Sequence, residues 1–383
     1  MDLDLPEDVR ELQRTVRDFA VNEVAPVAEE LDRTKTFPYE LVAKMGELGW
    51  MGIPFAEEHG GSGGTTLQYA VAVEELTRID SSVAITMCAH TSLGVQPINT
   101  FGSEEQKQRY MPDLCAGRKL GAFGLTEPGA GSDAAALSTR ATLQDGTWTI
   151  DGAKQFITNA GTDISGHVQI TAITGTRPDG RPEISNLIVE NGTPGYEPGQ
   201  PYRKMGWNAS DTRPLTFAGA RVPEGNLLGP RGAGFKQFMQ ILDGGRIGVA
   251  AMGLGLAQGC LDEAVAYAKS RNAFGGPIAR FGQIQQKIAD IATEIEAARL
   301  LVYRAAALKD AGRDFSLTAA QAKLKTGRLA VRAAEEAVQI HGGYGYMEEY
   351  PVCRHYRDAK ILTIGEGTDE VQQLVISRAV VGR

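Results

Sequence analysis

The chain has 383 residues, more than one ordinary hydrophobic core accommodates, and therefore predicts two or three domains. Its 42% hydrophobic and 22% charged residues are typical of a soluble globular protein, and no apolar run approaches the ~18 residues of a membrane span. The net charge of −8 disfavours nucleic acid and anionic membranes as partners. The four cysteines are far apart, which argues against a disulfide framework or a zinc site. The acidic start, where a signal or transit peptide would be basic, favours a cytoplasmic protein or a mature organellar form.

The first part of the chain, to about residue 119, predicts helices. Pro6 suits a helix start, and an apolar stripe follows it to near Glu30. Residues 40–50 and 66–79 predict further helices. The glycine-rich segment 59–64 lacks the Lys-Ser/Thr of a phosphate-binding loop and is interpreted as a connection.

A change of pattern near Leu120 predicts a β domain that extends to about Gly229. Asp145-Gly146 and Asp151-Gly152 flank a short run of alternating residues, which predicts a hairpin. Further short strands are predicted at residues 168–173, 186–189 and 214–217.

Helical periodicity returns after Gly229. A segment rich in small residues, 246–269, predicts one long helix, and isoleucines at every third or fourth position predict another that ends near Gly312. Ser316 is predicted to cap a third long helix, which stops at the glycine pair 342–343. Long antiparallel helices with short connections predict a four-helix bundle.

The predicted fold is therefore an α+β chain of three domains. Residues 1–119 form an N-terminal helical domain, residues 120–229 a central β-barrel-like domain, and residues 230–383 a C-terminal four-helix bundle.

The segment 124–133 lies at the junction into the β domain and is rich in glycine. Its glycines allow backbone N–H groups to face a flat or anionic ligand, and its Ser and Thr hydroxyls add donors. A tight turn alone could require the same glycines.

A second segment, 339–346, ends a predicted helix on a glycine pair. His341 lies there without a second metal ligand at a suitable spacing. A structural, backbone-bonded histidine is therefore favoured, and no metal site is predicted.

Near the end of the chain, Glu366 lies between Gly365 and Gly367, and Thr368 is placed to cap a following helix. A carboxylate with so little side-chain crowding suits a general base that removes a proton from carbon. It also suits an ordinary helix-capping acid, since isolated carboxylates before helices are common. The residues alone leave both interpretations open.

These segments resemble the two signature motifs of the acyl-CoA dehydrogenase family, and the order α–β–α matches that family's fold. The resemblance covers essentially the whole chain. The first motif fits throughout residues 124–133, and Glu366-Gly367-Thr368 matches the family's catalytic segment. The second motif fits at every constrained position, namely Gln339, Gly342, Gly343, Gly345, Tyr346, Glu349, Arg354 and Asp358.

The resemblance implies that FAD is the cofactor and that it lies against the β domain. The residues implied near the flavin and pyrophosphate are Phe123, Leu125, Thr126, Ser132, Phe156, Ile157, Thr158, Thr368 and Glu370. The residues implied near the adenosine portion, reaching FAD across a subunit boundary, are Arg271, Phe274, Phe281, Gln339, Gly342 and Gly343. Phe156 stands where the family has Trp, which keeps the ring and loses the indole N–H. Gly282 stands where the family usually has Gln, so one cofactor hydrogen bond depends on whether Gln283 substitutes.

The resemblance also implies the reaction, α,β-dehydrogenation of an acyl-CoA to a trans-2-enoyl-CoA. Glu366 matches the base that removes the α-proton; some members carry it on the helix just before Arg246, where this chain has Gly245. The Glu366 N–H and a flavin ribityl hydroxyl stabilise the enolate oxygen, and Cβ gives a hydride to flavin N5. The residues implied to contact the acyl thioester are Ser132, Asp243, Arg246 and Gly367.

The implied partners are electron-transfer flavoprotein as electron acceptor and further copies of the chain in a tetramer, a dimer of dimers. Alternatives are an oxidase of the same fold, a dehydrogenase of acyl-carrier-protein thioesters, and a DNA-binding flavoprotein, which the charge of −8 and the intact Glu366 disfavour. The run 90–94 resembles the short-chain branch of fatty acid β-oxidation enzymes. Many straight-chain members have Tyr where this chain has Gly365; the glycine either opens space for branched or cyclic acyl groups or serves backbone geometry.

Overall fold

The computed structural model describes residues 4–382, and its N-terminal part is helical as predicted. Pro6 occupies the N-cap position of the first helix, and a π-helical turn, Ala20–Val24, joins the first two helices into one run. Thr65 and Gln68 form a reciprocal capping box at the fourth helix, which fixes its start after the glycine-rich connection. The helices are α1 (Glu7–Phe19), α2 (Ala25–Thr34), α3 (Tyr39–Glu47), α4 (Thr66–Thr77), α5 (Ser81–Ala89), α6 (Gln96–Phe101) and α7 (Glu104–Cys115).

The middle of the chain forms one seven-stranded sheet, which confirms the predicted β layer between two helical parts. Its strands are β1 (Leu120–Gly124), β2 (Arg140–Gln144), β3 (Thr147–Thr158), β4 (Ser165–Thr176), β5 (Pro182–Glu190), β6 (Tyr196–Pro198) and β7 (Thr212–Pro223). The order is β1-β4-β2-β3-β7-β6, with β5 paired to β4. β1 runs parallel to its neighbour β4.

The hairpin prediction is half right. Asp145 and Gly146 have φ angles of 50° and 71° and form the tight turn between β2 and β3. Asp151 and Gly152 are not a turn, because β3 continues through them with a shift of register against β7. The carboxylate of Asp151 accepts a hydrogen bond from the Gly219 backbone N–H at 2.8 Å, so this Asp-Gly pair belongs to a bulge.

The C-terminal part contains three long helices and two shorter ones. They are α8 (Gly234–Ser270), α9 (Gly282–Asp310), α10 (Ser316–His341), α11 (Pro351–Ala359) and α12 (Asp369–Val381), with a small hairpin of β8 (Asn272–Ala273) and β9 (Gly276–Pro277) after α8. The predicted bundle is confirmed, since α8, α9 and α10 pack on one another and α12 packs on α10. The prediction that Ser316 caps α10 is wrong: Phe315 is the N-cap residue, and the Ser316 N–H donates to the Asp314 carboxylate at 3.0 Å.

A single hydrophobic core joins the N-terminal helices to the C-terminal bundle, with α8 at its centre. Buried side chains from both parts contribute to it, for example Val16, Leu76, Met252 and Leu329. The sheet has a separate core around Trp148. Within residues 4–382, no helix has the combination of length and apolarity that crossing a bilayer requires.

The helical core meets the sheet at a close backbone contact. Gly94 lies in a second π-helical turn, His90–Val95, and a Cβ added there would overlap the carbonyl of Gly121 on β1. Buried His90 fixes the same contact, because its Nδ1 accepts from the Gly121 N–H at 3.1 Å. This turn and β1 are thereby held in one fixed relation.

Candidate active site

Glu366 lies in a tight turn between a short 3₁₀ segment, Lys360–Thr363, and α12. Its φ is 52° and that of Gly367 is 94°, so two successive residues have left-handed backbone. The side chain of Thr368 caps α12 by accepting from the Val371 N–H at 3.3 Å, as predicted. Since Thr368 supplies the cap, the Glu366 carboxylate is left for another role.

The Glu366 carboxylate is directed at the backbone of α8. Its Oε2 is buried and has no hydrogen-bond partner among the described residues. A Cβ added at Gly245 would overlap this oxygen, so the absence of a side chain at 245 makes room for the Glu366 carboxylate. Burial raises the pKa of the Glu366 carboxyl to about 7, against the opposing effect of the Lys323 and Arg246 charges.

The predicted thioester contacts fall into two places. Arg246 is buried on α8 one position beyond Gly245, and its guanidinium forms an ion pair with Asp243. Gly367 directly follows Glu366. Ser132 is exposed on the loop between β1 and β2.

Helical residues, Tyr69 and Cys88 among them, lie beside the Glu366 carboxylate. The Tyr69 hydroxyl donates to the Cys88 carbonyl at 3.1 Å, and Ser92 donates to the same carbonyl at 2.7 Å. A Cβ added at Gly248 would meet the Tyr69 hydroxyl at 2.6 Å. Glycines one turn apart on α8 therefore let Glu366 and Tyr69 approach the helix together.

The loop between β1 and β2 is held in place by contacts of Glu127, whereas no other described residues pack against its glycines. Glu127 is buried and pairs with Lys154 at 2.8 Å, and it also accepts from the Ser138 N–H at 2.6 Å. A Cβ added at Gly129 or Gly131 would have nothing within 4 Å. The loop thus presents unobstructed backbone on a fixed support.

Aromatic side chains stand next to this loop. A register shift in β3 places Phe156 at a φ of 61° with 63% of its surface exposed, whereas Ile157 is buried. The ring centre of Phe156 is 5.4 Å from that of Tyr202. Phe123 on β1 stacks on Phe238 at 3.9 Å. An exposed ring on strained backbone, beside a loop of bare amides, fits a flat aromatic group with an anionic tail such as a flavin dinucleotide.

The cofactor residues predicted to act across a subunit boundary lie at the ends of α8 and α10 and near the start of α9. A pocket of about 520 Å³ is lined by the ends of α8 and α10, and it includes Arg271, Gly342 and Gly343. Phe274 is 90% exposed at a φ of 52°, and its ring centre is 6.0 Å from that of Phe281. The predicted cofactor residues in this region that are exposed are Arg271, Phe274, Gln339, Gly342 and Gly343, and Gln283 is exposed with them.

His341 is structural, as predicted. Its Nδ1 bonds with the Ala337 carbonyl at 2.8 Å, and its ring stacks on Tyr267 at 4.1 Å. Across residues 4–382, no three His, Cys, Asp or Glu side chains are grouped so that they could hold a metal ion.

Two lysines near the site were missed by sequence reasoning. Lys154 and Lys323 are both 0% exposed. The burial of Lys323 could have been predicted, because Ala319 and Gly327 lie one helical turn before and after it on the buried face of α10. The burial of Lys154 could not have been predicted, since its partner Glu127 is distant in sequence.

Comparison with known proteins gives one consistent result. Sequence profiles of the acyl-CoA dehydrogenase N-terminal, middle and C-terminal domains match residues 6–118, 122–220 and 232–381. The chain is 50% identical over 378 residues to the probable acyl-CoA dehydrogenase YngJ of Bacillus subtilis, covering 99% of each. The structure of butyryl-CoA dehydrogenase from Megasphaera elsdenii matches with a TM-score of 0.96 at 46% identity, over 100% of both chains. A chain in a structure of the electron transferring flavoprotein of Acidaminococcus fermentans matches with a TM-score of 0.97 at 45% identity, also over 100% of both.

Proposed function

The chain belongs to the acyl-CoA dehydrogenase family, and from this premise we propose that it oxidises short-chain acyl-CoA thioesters with Glu366 as the base. Enzymes of this family are FAD-dependent oxidoreductases that act on acyl-CoA, and this chain is one of them.

One observation carries the role of Glu366, namely that its buried Oε2 has no partner in the described part of the chain. A buried carboxylate oxygen without a donor is costly unless a ligand completes the site. The pKa of the Glu366 carboxyl, about 7, suits a general base, because such a group works best when its pKa lies near the working pH. The alternative position of the base in the family is Gly245, which has no side chain to serve.

The residues around the sheet supply the rest of the proposed site. FAD, when bound, accepts the hydrogen that leaves Cβ of the substrate. The bare loop of Gly129 and Gly131 gives backbone donors to its phosphates, and the Phe156 ring covers the flavin. The Glu366 N–H, adjacent to the carboxylate, binds the thioester oxygen on which negative charge develops.

The short chain length rests on two supports. The solved relative is named for butyryl-CoA, a four-carbon substrate. In this chain, a Cβ at Gly245 would also meet the Leu93 side chain at 3.3 Å, so the π-helical turn that contains Leu93 comes close to the base. A wall this close leaves a shallow acyl site.

We extend the proposal to the electron acceptor and the assembly. The similarity to a chain in a structure of the electron transferring flavoprotein supports such a flavoprotein as acceptor. Phe274 is exposed, and a pocket is lined by Arg271 and the glycine pair 342–343. Neither belongs to the loop between β1 and β2, so this surface is free to contact another molecule. We assign this surface to a second copy's FAD, which makes the enzyme an oligomer, with a dimer of dimers as the family arrangement.

The test of the function is a panel of acyl-CoAs mixed with the FAD-loaded enzyme without oxygen. Bleaching of the flavin absorbance reports oxidation of the acyl group directly and needs no electron acceptor. We expect butyryl-CoA to bleach the flavin faster than octanoyl- or palmitoyl-CoA. Fastest bleaching by palmitoyl-CoA would contradict the chain length, and no bleaching by any acyl-CoA would contradict the reaction.

Gly365→Tyr is expected to change selectivity near the reacting carbons. The left-handed residues of the turn are Glu366 and Gly367, and Gly365 is not among them, so the backbone interpretation of this glycine is wrong. A Cβ at 365 would meet only Ile361, at 3.5 Å, which is ordinary contact. A tyrosine should therefore fill space, and oxidation of isobutyryl- or 2-methylbutyryl-CoA should fall relative to butyryl-CoA by roughly 10- to 200-fold.

Gly365→Ala is the matched control, because it adds only a Cβ atom and leaves open the space that a tyrosine ring would fill. Its selectivity should equal that of the unmodified enzyme. Equal losses for straight and branched substrates in Gly365→Tyr would show that the space does not select the acyl group.

A further inference from the structure

Lys323 is the buried cation next to the catalytic turn. Its side chain is 0% exposed on α10, and its Nζ donates to the carbonyl of Gly367 at 2.6 Å. A lysine removed from water this completely requires bonded acceptors and compensating negative charge. The carboxylates that act on it are those of Asp369, Glu366 and Glu370.

The turn that Lys323 contacts is held by few bonds. Glu366 and Gly367 both have left-handed backbone. Gln372, also 0% exposed, donates to the Glu366 carbonyl at 3.3 Å and to the Gly367 carbonyl at 3.0 Å. Lys323 and Gln372 are thus the side chains that bind the carbonyls of the turn.

The charges around Glu366 single out Lys323 in a second way. Arg246 on α8 also faces the carboxylate, but it is paired with Asp243. Among the carboxylates, Asp369 has the largest effect on Lys323, but it forms an ion pair with Arg328 at 2.9 Å. Glu366 also faces Tyr69 on α4 and Cys88 on α5, and both of these side chains are uncharged because burial raises their pKa values. Glu370 also acts on Lys323, but its side chain is exposed. Glu366, whose Oε2 is buried without a partner among the described residues, is therefore left to compensate Lys323.

We propose that Lys323 is a positioning residue for the base: it fixes the Glu366–Gly367 turn through the Gly367 carbonyl and stabilises the ionised carboxylate. This inference rests on the proposed role of Glu366. It has a direct consequence for pH dependence. The positive charge of Lys323 lowers the pKa of Glu366, so removal of that charge must raise it. The base is active when deprotonated, and activity must then begin at a higher pH.

The experiment measures proton removal by the FAD-loaded enzyme as a function of pH. Acetyl-CoA is the probe, because it has α-hydrogens and no β-carbon to oxidise, and mass spectrometry follows the exchange of its hydrogens in deuterated water. In the unmodified enzyme the exchange rate should rise with pH through about 7. In Lys323→Met this rise should move up by about one pH unit, as for loss of a close opposite charge.

The pH dependence separates this role from a merely structural one. A shift of one unit lowers the rate about fivefold at about pH 7 and hardly at all at about pH 9. The two enzymes converge at high pH also because Lys323 itself has a pKa of about 8, lowered by burial. A damaged fold would instead lower the rate at every pH, together with FAD content and melting temperature.

Two further variants complete the test. Lys323→Arg keeps a positive charge and should restore the pH profile of the unmodified enzyme. Gln372→Leu removes the other donor without changing charge, so it should lower the rate without moving the profile. Lys323→Gln is measured beside Lys323→Met, so that a neutral variant with a polar end is available if the methionine variant does not fold. A neutral variant that retains FAD and shows an unshifted profile would overturn the inference. Absence of exchange in the unmodified and Glu366→Gln enzymes alike, with no flavin bleaching by butyryl-CoA, would instead overturn the proposed function.

Discussion

Glu366→Gln is expected to keep its FAD and to lose turnover of butyryl-CoA by about 10²- to 10⁴-fold or more. Glutamine preserves the size and shape of the side chain but does not accept the α-proton. The turn is held through its backbone carbonyls by Lys323 and Gln372, so the substitution leaves its geometry in place. The measurements are the flavin spectrum, for cofactor content, and the rate of flavin bleaching.

Glu335→Gln is the control for this substitution. Glu335 is an exposed carboxylate on α10, away from the turn, and its replacement should leave the bleaching rate unchanged. Bleaching of Glu366→Gln at a rate near that of the control would mean that another group removes the proton.

Gly245→Ala is expected to lower turnover by roughly 100-fold while the protein remains folded. The added Cβ would overlap Glu366 Oε2, which is the free end of a flexible side chain, so the carboxylate moves and the helix does not. A displacement of about 1 Å at a reacting group costs about this much in rate. The measurements are the bleaching rate and the melting temperature, of which only the first should change.

The neighbouring glycine provides the matched control. A Cβ at Gly244 would meet only the Lys309 ammonium, at 3.3 Å, so Gly244→Ala inserts the same methyl group into the same helix away from the base. Its turnover should stay near that of the unmodified enzyme. Similar losses in both variants would mean that the glycines serve helix packing rather than the carboxylate.

The sequence was sufficient to predict the layers of the fold, and it indicated the segment 366–368 as the candidate catalytic segment. Periodicity and turn residues place the three parts of the chain, and Asp145-Gly146 behaves as its dipeptide predicts. The same dipeptide at 151–152 does not, because pairing with β7 outweighs local turn preference. Likewise Ser316 is not the cap of α10, because the helix already includes it: Phe315 is the N-cap residue, and the Ser316 N–H donates to the Asp314 carboxylate.

The geometry of the site was less accessible from the sequence. The pattern Gly-Glu-Gly indicates an uncrowded carboxylate, but it does not reveal that the left-handed residues are Glu366 and Gly367 rather than Gly365. The contact of Gly245 with the base joins residues far apart in the chain, and only packing brings them together. Sequence reasoning could identify Gly245 as a position without a base but not as the space that the base occupies.

The shared helical core has a consequence for how the chain is made. Helices α4 and α5 bury their apolar faces against α8, and α4 also packs on α9, yet α8 begins more than a hundred residues after α5 ends. During synthesis the N-terminal helices emerge from the ribosome long before their packing partners exist. Their apolar faces stay uncovered while the whole sheet is translated, a period in which such surfaces associate with one another or with chaperones. The sheet, whose core is its own, is the part of the chain that can be complete before the last helices arrive.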